Sequence, residues 1–182
     1  ILTKGHLGGL LKGGGWAFLI ASGSLITGIN NNVSIQISQI LGAGAIIGIF
    51  FLALWAGLSL RTAFTAATLF TFVPARMFWA STGESHTASI FFVIWATAFS
   101  FLLCRKVDKN IFGLTVSFWI YSACVRFETL ILFLFFLLWI RLFVPNDDRK
   151  NLPFSDALFW VTIIMASNVI FGNIGTYVIA VM

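Results

Sequence analysis

The chain has 182 residues, 59% hydrophobic and 16% aromatic, with only 9% charged and a mean hydropathy of +1.00. A soluble domain carries about 25% charged residues. This composition therefore excludes an ordinary water-soluble globule, a disordered chain, a nucleic-acid module and a disulfide-stapled secreted scaffold. The net charge of +5 comes from 11 Lys/Arg against 6 Asp/Glu, placed in short clusters between apolar runs. That is the pattern of a polytopic membrane protein.

The sequence predicts an all-α, polytopic transmembrane helix bundle of about six spans, each near the 20 apolar residues a bilayer requires, plus one interfacial or re-entrant helix. A juxtamembrane segment, 1–37, precedes a helical core, 38–182. Within the first segment, 14–28 is apolar but short and follows Gly8, Gly9, Gly13, Gly14 and Gly15, which favours an interfacial helix over a span. Residues 38–58 form a first span without a charge, Arg61 interrupts the run, and 62–80 returns as a second span in a tight hairpin. A third span, 87–104, is closed by Arg105, Lys106, Asp108 and Lys109. A short span, 111–125, ends at Arg126; 127–144 follows, stopped by Pro145, which cannot continue a helical ladder. The last span, 156–182, contains a Gly172–Gly175 bend. The chain opens at Ile1 and shows no signal-peptide pattern, so it reads as an internal piece of a longer membrane protein.

Loop charges set the expected orientation. Arg61, Arg105, Lys106, Lys109, Arg141, Arg149 and Lys150 fall on one face, the expected cytoplasmic one; Arg76, Glu84, His86 and Arg126 fall on the other, outer or lumenal face. Cys104 and Cys124 lie within apolar runs and read as small buried residues. With only His6 and His86 in the chain, no metal site is supported, and no cofactor is implied. Gly42, Gly44 and Gly48 have the small-residue spacing of close helix packing. Asn32-Val33-Ser34 is a formal glycosylation sequon, a pattern common by chance.

Ionisable groups at a membrane boundary are costly and therefore candidates for function. Arg126 can present its guanidinium fork to a phosphate, or extend to lipid headgroups as an interfacial arginine. Glu128, two residues on, would point to a different face of one helix, so an ion pair between them is not expected. Glu84 beside His86 can serve acid–base work or hold a polar substrate, while Ser81-x-x-Glu84 also has the form of a capping box. Arg76, two residues after Pro74, can satisfy carbonyls freed by a proline kink or face the same outer cavity.

The block from Leu41 to Trp139 resembles the membrane core of GT-C glycosyltransferases, which use polyprenyl-phosphate sugars and include protein O-mannosyltransferases and lipid A aminoarabinose transferases. Four pieces carry the resemblance: the Gly-rich span ending near Arg61, the Ala/Thr-rich span with Pro74, the polar loop Ser81-Thr-Gly-Glu-Ser85, and the span opening Arg126-Phe-Glu128. The stretch from Gly15 to Gly28 is similar to the apolar segment closing that family's first outer loop. The resemblance implies transfer of a sugar from a lipid-linked phosphate donor at the outer membrane face. Arg126 would contact the lipid phosphate, and Glu84 would shape the cavity or bind an acceptor. The family's catalytic base lies in its first outer loop, whereas here no Asp or Glu precedes Glu84, so the base is expected outside this segment. Expected partners are membrane lipid and the phosphosugar donor, with no nucleic acid. Two alternatives remain: half of a secondary transporter or flippase, and a non-catalytic structural membrane subunit.

Overall fold

A computed structural model describes residues 14–27, 32–144 and 152. Among these, seven α-helices and one 3-10 turn occur and no strand: α1 Gly14–Thr27, α2 Val33–Trp55, α3 Leu60–Thr71, α4 Pro74–Thr82, α5 Ser85–Arg105, α6 Lys109–Val125, the turn Phe127–Thr129, and α7 Leu130–Phe143. Two of the helices, α2 and α5, are long and apolar enough to cross a membrane. The 17 residues of α6 and the 14 of α7 are shorter. The segment expected at 156–182 lies outside the described residues.

The first hairpin turns earlier than the charge pattern suggests. The apolar run reaches Leu58, yet α2 stops at Trp55 because Gly57 adopts a left-handed φ of +98°, open to glycine at little cost. Ser59 then caps α3, its hydroxyl accepting from the Thr62 N–H at 3.2 Å, so that Arg61 sits inside the first helical turn.

The expected span 62–80 is two helices rather than one. The Pro74 ring crowds the preceding residue out of the helical region, and Val73 is extended with ψ 115°. Pro74 also lacks an N–H, so it starts α4 at the first helical position, where no intrahelical partner is needed. In α3 the hydroxyls of Thr65, Thr68 and Thr71 donate to the carbonyls four residues back, at 2.9, 2.9 and 3.0 Å, so a Thr-rich helix carries few unsatisfied polar groups.

α2 and α5 run parallel. A Cβ placed on Gly44 would stand 2.7 Å from Phe91, and one on Gly48 2.7 Å from Ile94, while the Trp95 indole N–H donates to the Gly44 carbonyl at 3.1 Å. The glycine spacing thus serves close packing. α6 runs back along α5, with Phe92 and Tyr121 rings 4.9 Å apart, and α7 packs on α6 through Trp119, Phe133 and Phe136. The main core joins α5, α6 and α7 around Phe112, Trp119, Phe133 and Ile140.

On α2 small residues face inward and large apolar ones outward. On α2 the buried positions are Val33, Ser38, Gly42, Ala45, Gly48 and Ala53, whereas Ile40 and Ile47 point outward. Phe64, Leu69 and Phe72 near α3, and Ile131, Phe135 and Leu142 on α7, are likewise exposed.

This topology gives the bundle two chemically different ends. Arg61, Arg105, Lys106, Lys109 and Arg141 lie where α3 and α6 begin and α5 and α7 end. Glu84, His86, Arg126 and Glu128 lie at the opposite end, where α5 and α7 begin and α6 ends. α1 belongs to this second end. Gly15 meets Cys124, Gly23 meets Val33 and Ile37, and buried Trp16 packs with Ala88 and Val125. Both halves of this 14-residue helix thus touch the same end of the bundle.

Candidate functional site

Four polar residues from two stretches of the chain converge at the end that α1 touches. α4 closes with Gly83 in the left-handed conformation, φ +66°, which folds the chain sharply into α5. Glu84 occupies the N-cap position of α5 with extended backbone but makes no capping hydrogen bond. The capping box does not form: Ser81 lies inside α4, where its hydroxyl donates to the Phe78 carbonyl at 2.7 Å. The Glu84 carboxylate instead stands 3.4 Å from Nε2 of His86.

His86, on the first turn of α5, is stacked on Trp79 of α4, with ring centroids 4.8 Å apart and planes 14° from parallel. Its Nδ1 meets Nη1 of Arg126, forty residues further along the chain. Guanidinium has no acceptor atom. The imidazole nitrogen facing it must therefore accept, which places the proton of a neutral ring on Nε2, toward Glu84. In that tautomer His86 connects the Glu84 carboxylate to the Arg126 guanidinium.

Arg126 itself caps α6, its backbone N–H donating to the Ser122 carbonyl at 2.9 Å, but its φ of −143° and ψ of 113° are extended. The helical i, i+2 rule therefore does not hold here, and the expectation that Arg126 and Glu128 point apart is corrected. Alternate side chains of an extended residue and the tight turn after it return to one side. Arg126 Nη2 donates to Glu128 Oε1 at 3.0 Å and Nε donates to Oε2 at 3.3 Å, a two-pronged pair. The hydrogen bond from Arg126 holds the Glu128 carboxyl below its ordinary pKa. Thr129 fixes the turn, its N–H and hydroxyl donating to the Arg126 carbonyl at 3.1 and 2.8 Å.

The outcome is a chain of groups, Glu84–His86–Arg126–Glu128, with Trp79 as its aromatic wall. The Arg126 side chain is 30% exposed and that of Glu128 69%, so the cation is half-sheltered and its outer carboxylate faces the surroundings. Beneath the chain, α2, α5 and α6 bury the hydroxyls of Ser38, Thr87 and Ser122 near this same end. Among the described residues no group of three His, Cys, Asp or Glu side chains is placed to hold a metal ion.

Sequence reasoning named Arg126 with Glu128 and Glu84 with His86 as two separate sites, and the fold brings all four residues together. Arg76 lies on the first turn of α4, and its side chain is outside the described residues. Trp79 was missed. The signal that points to it is Gly83, whose left-handed turn sets the last turns of α4 against the first turn of α5. The structure also holds a second feature away from this end. It is an apolar cavity of about 500 Å³ between α5, α6 and α7, lined by Ser100, Phe101, Trp119, Leu132, Phe135 and Trp139.

No protein-family model matches the chain, and neither a curated protein nor a solved structure is significantly similar to it.

Proposed function

We propose that the chain is a polytopic membrane protein that binds the phosphate headgroup of an isoprenoid lipid at the end bearing Arg126, in the service of sugar transfer from a lipid-linked phosphate donor. The membrane part of this reading is supported by the small residues that α2 buries and by the large apolar residues left outside on α2, α3 and α7. In water the larger side chains would be the ones to bury; in lipid there is no such drive, and close backbone approach holds helices together instead. The six-span arrangement belongs to this reading, with α3 and α4 as one broken crossing and 156–182 as the last. The basic end is then cytoplasmic, and the Arg126 end outer or lumenal.

The observation that carries the phosphate reading is Arg126, half-sheltered between His86 and Glu128 at the bundle end opposite the basic cluster. An arginine that only extended toward headgroups would need no such scaffold. A guanidinium fork matches phosphate oxygens in two-point geometry. As the bond between sugar and phosphate oxygen breaks, the departing phosphate gains charge, and a fixed cation in a partly dehydrated site stabilises it. The reaction class rests on the resemblance of the span order and of the Arg126-Phe-Glu128 start to GT-C enzymes. Glu84 and His86 would orient the fork or contact the acceptor.

The transporter alternative gains one observation, the break at Val73 between α3 and α4. A single assay separates the readings. Vesicles containing the full chain receive a polyprenyl phosphosugar and a mixture of polar acceptors. The proposal expects release of polyprenyl phosphate, lost in Arg126→Gln and retained in Arg141→Gln at the basic end. Movement of the intact lipid between leaflets without cleavage supports the transporter. Neither cleavage nor movement in the presence of an intact fold refutes the proposal.

A further inference from the structure

We infer that Glu128 is an internal stand-in for the ligand: its carboxylate occupies the binding edge of the Arg126 fork and competes there with an arriving phosphate. The inference rests on the phosphate reading of Arg126 and deepens it.

A guanidinium offers two edges to a two-pronged oxyanion, the Nε/Nη2 edge and the Nη1/Nη2 edge. Nη1 is engaged by His86. The Nε/Nη2 edge is occupied by both oxygens of Glu128, at 3.3 and 3.0 Å. An arriving phosphate that is to bind in two-point fashion must therefore take the place of Glu128. The carboxylate can leave at low cost. It sits in a three-residue 3-10 turn and not in a helix, its side chain is 69% exposed, and surroundings of high dielectric can receive its charge. His86 and Trp79 keep the guanidinium in position during the exchange.

Displacement sets the charge of the ligand against that of the carboxylate. A phosphodiester, the state of phosphate in a lipid-phosphosugar, carries one negative charge, as Glu128 does. A phosphate monoester carries nearly two at neutral pH. The monoester displaces the carboxylate with a Coulombic advantage that the diester lacks. Glu128 thus weakens every headgroup at the fork, the donor diester and the phospholipids around it included, and yields most fully to the doubly charged phosphate that forms as the sugar–phosphate bond breaks.

The test is a binding titration of the full chain in neutral detergent micelles with two probes, farnesyl phosphate and its methyl ester, a phosphodiester. Wild type is expected to prefer the monoester. Glu128→Gln should tighten the monoester and, by the same factor of about two to five, the worth of an exposed ion pair, the diester. Glu128→Ala, which clears the fork entirely, should tighten both at least as much, and gives a second reading if the Gln variant folds poorly. Weaker or unchanged diester binding in both variants overturns the inference. If Arg126→Gln binds both probes as wild type does, the phosphate reading itself fails. If Arg126→Gln abolishes binding while the Glu128 variants leave the diester unchanged, the reading stands and only the stand-in role falls.

Discussion

The packing of α2 on α5 makes the sharpest structural prediction, because one substitution should act with opposite signs at two helical glycines. A Cβ at Gly48 would stand 2.7 Å from Cγ2 of Ile94 and 3.1 Å from the Trp95 indole nitrogen, whereas ordinary contact begins at 3.4 Å. Cγ2 of a β-branched residue in a helix has little rotamer freedom, so the helices must separate. Such overpacking costs about 1–3 kcal/mol, and separation also strains the hydrogen bond from Trp95 to the Gly44 carbonyl, worth about 1 kcal/mol. Against this, alanine gains about 0.5–1 kcal/mol over glycine in a helix interior. Gly48→Ala should therefore destabilise by about 1–2 kcal/mol. At Gly113, on the exposed face of α6, a Cβ meets nothing within 4 Å. Gly113→Ala should keep only the gain and stabilise by about 0.5–1 kcal/mol. Equilibrium unfolding in mixed micelles, with SDS mole fraction as denaturant, reads both changes. Shifts of equal sign and size in the two variants would refute the parallel packing of α2 on α5 at Gly48.

Further outcomes follow from individual contacts. Asp108→Ala should cost about 1 kcal/mol in the same unfolding assay, because the Asp108 carboxylate accepts from the N–H groups of Asn110 and Ile111 at 2.7 and 3.3 Å; Asp108→Asn should recover most of it. Gly83→Ala should cost about 1–2 kcal/mol, from the left-handed backbone at φ +66° and a Cβ 2.7 Å from the Ser34 hydroxyl. The pair between Arg126 and Glu128 should give a pH-dependent stability. The folded pKa of Glu128 lies below its unfolded value, so the contribution is complete above the ordinary Glu value of about 4.3 and disappears as pH falls through the folded pKa. Thermal midpoints of wild type and Glu128→Gln should thus differ at neutral pH and converge in acid; a difference that does not shrink as the pH falls contradicts the pairing.

What could be read from the sequence was the part that local chemistry dictates. α5 was legible because an apolar run lies between the polar loop around Glu84 and the Arg105–Lys109 cluster, and the structure starts and ends it within two residues of the expected bounds. The turn after α2 was misplaced because hydropathy counts Leu58 as apolar span, while the backbone obeys Gly57. Pro74 was seen as a kink. Its effect on Val73 is a full break, since both the lost N–H and the crowded preceding residue act at one point. At the site, residue types were legible and relations were not. The i, i+2 separation of Arg126 and Glu128 argues against pairing only if both are helical, and the extended backbone at Arg126 removes that premise. The contact of Arg126 with His86 spans forty residues and depends on α5 and α6 placing opposite termini at one end of the bundle, a tertiary outcome that no local spacing encodes. Trp79 joins them for the same reason.

The central claim is that the Arg126 guanidinium receives a lipid phosphate, and internuclear distance tests it most directly. Chain labelled with ¹⁵N in its arginine side chains, reconstituted in bilayers with farnesyl phosphate, can be measured by ¹⁵N–³¹P dipolar recoupling. Direct phosphate contact places the two nuclei within about 4 Å, given hydrogen-bond lengths of 2.7–2.9 Å for charge-assisted N–H donors. Dephasing of a guanidinium signal that is lost in Arg126→Lys is the predicted result. Dephasing that survives this substitution, or arises only from arginines at the basic end, would contradict it.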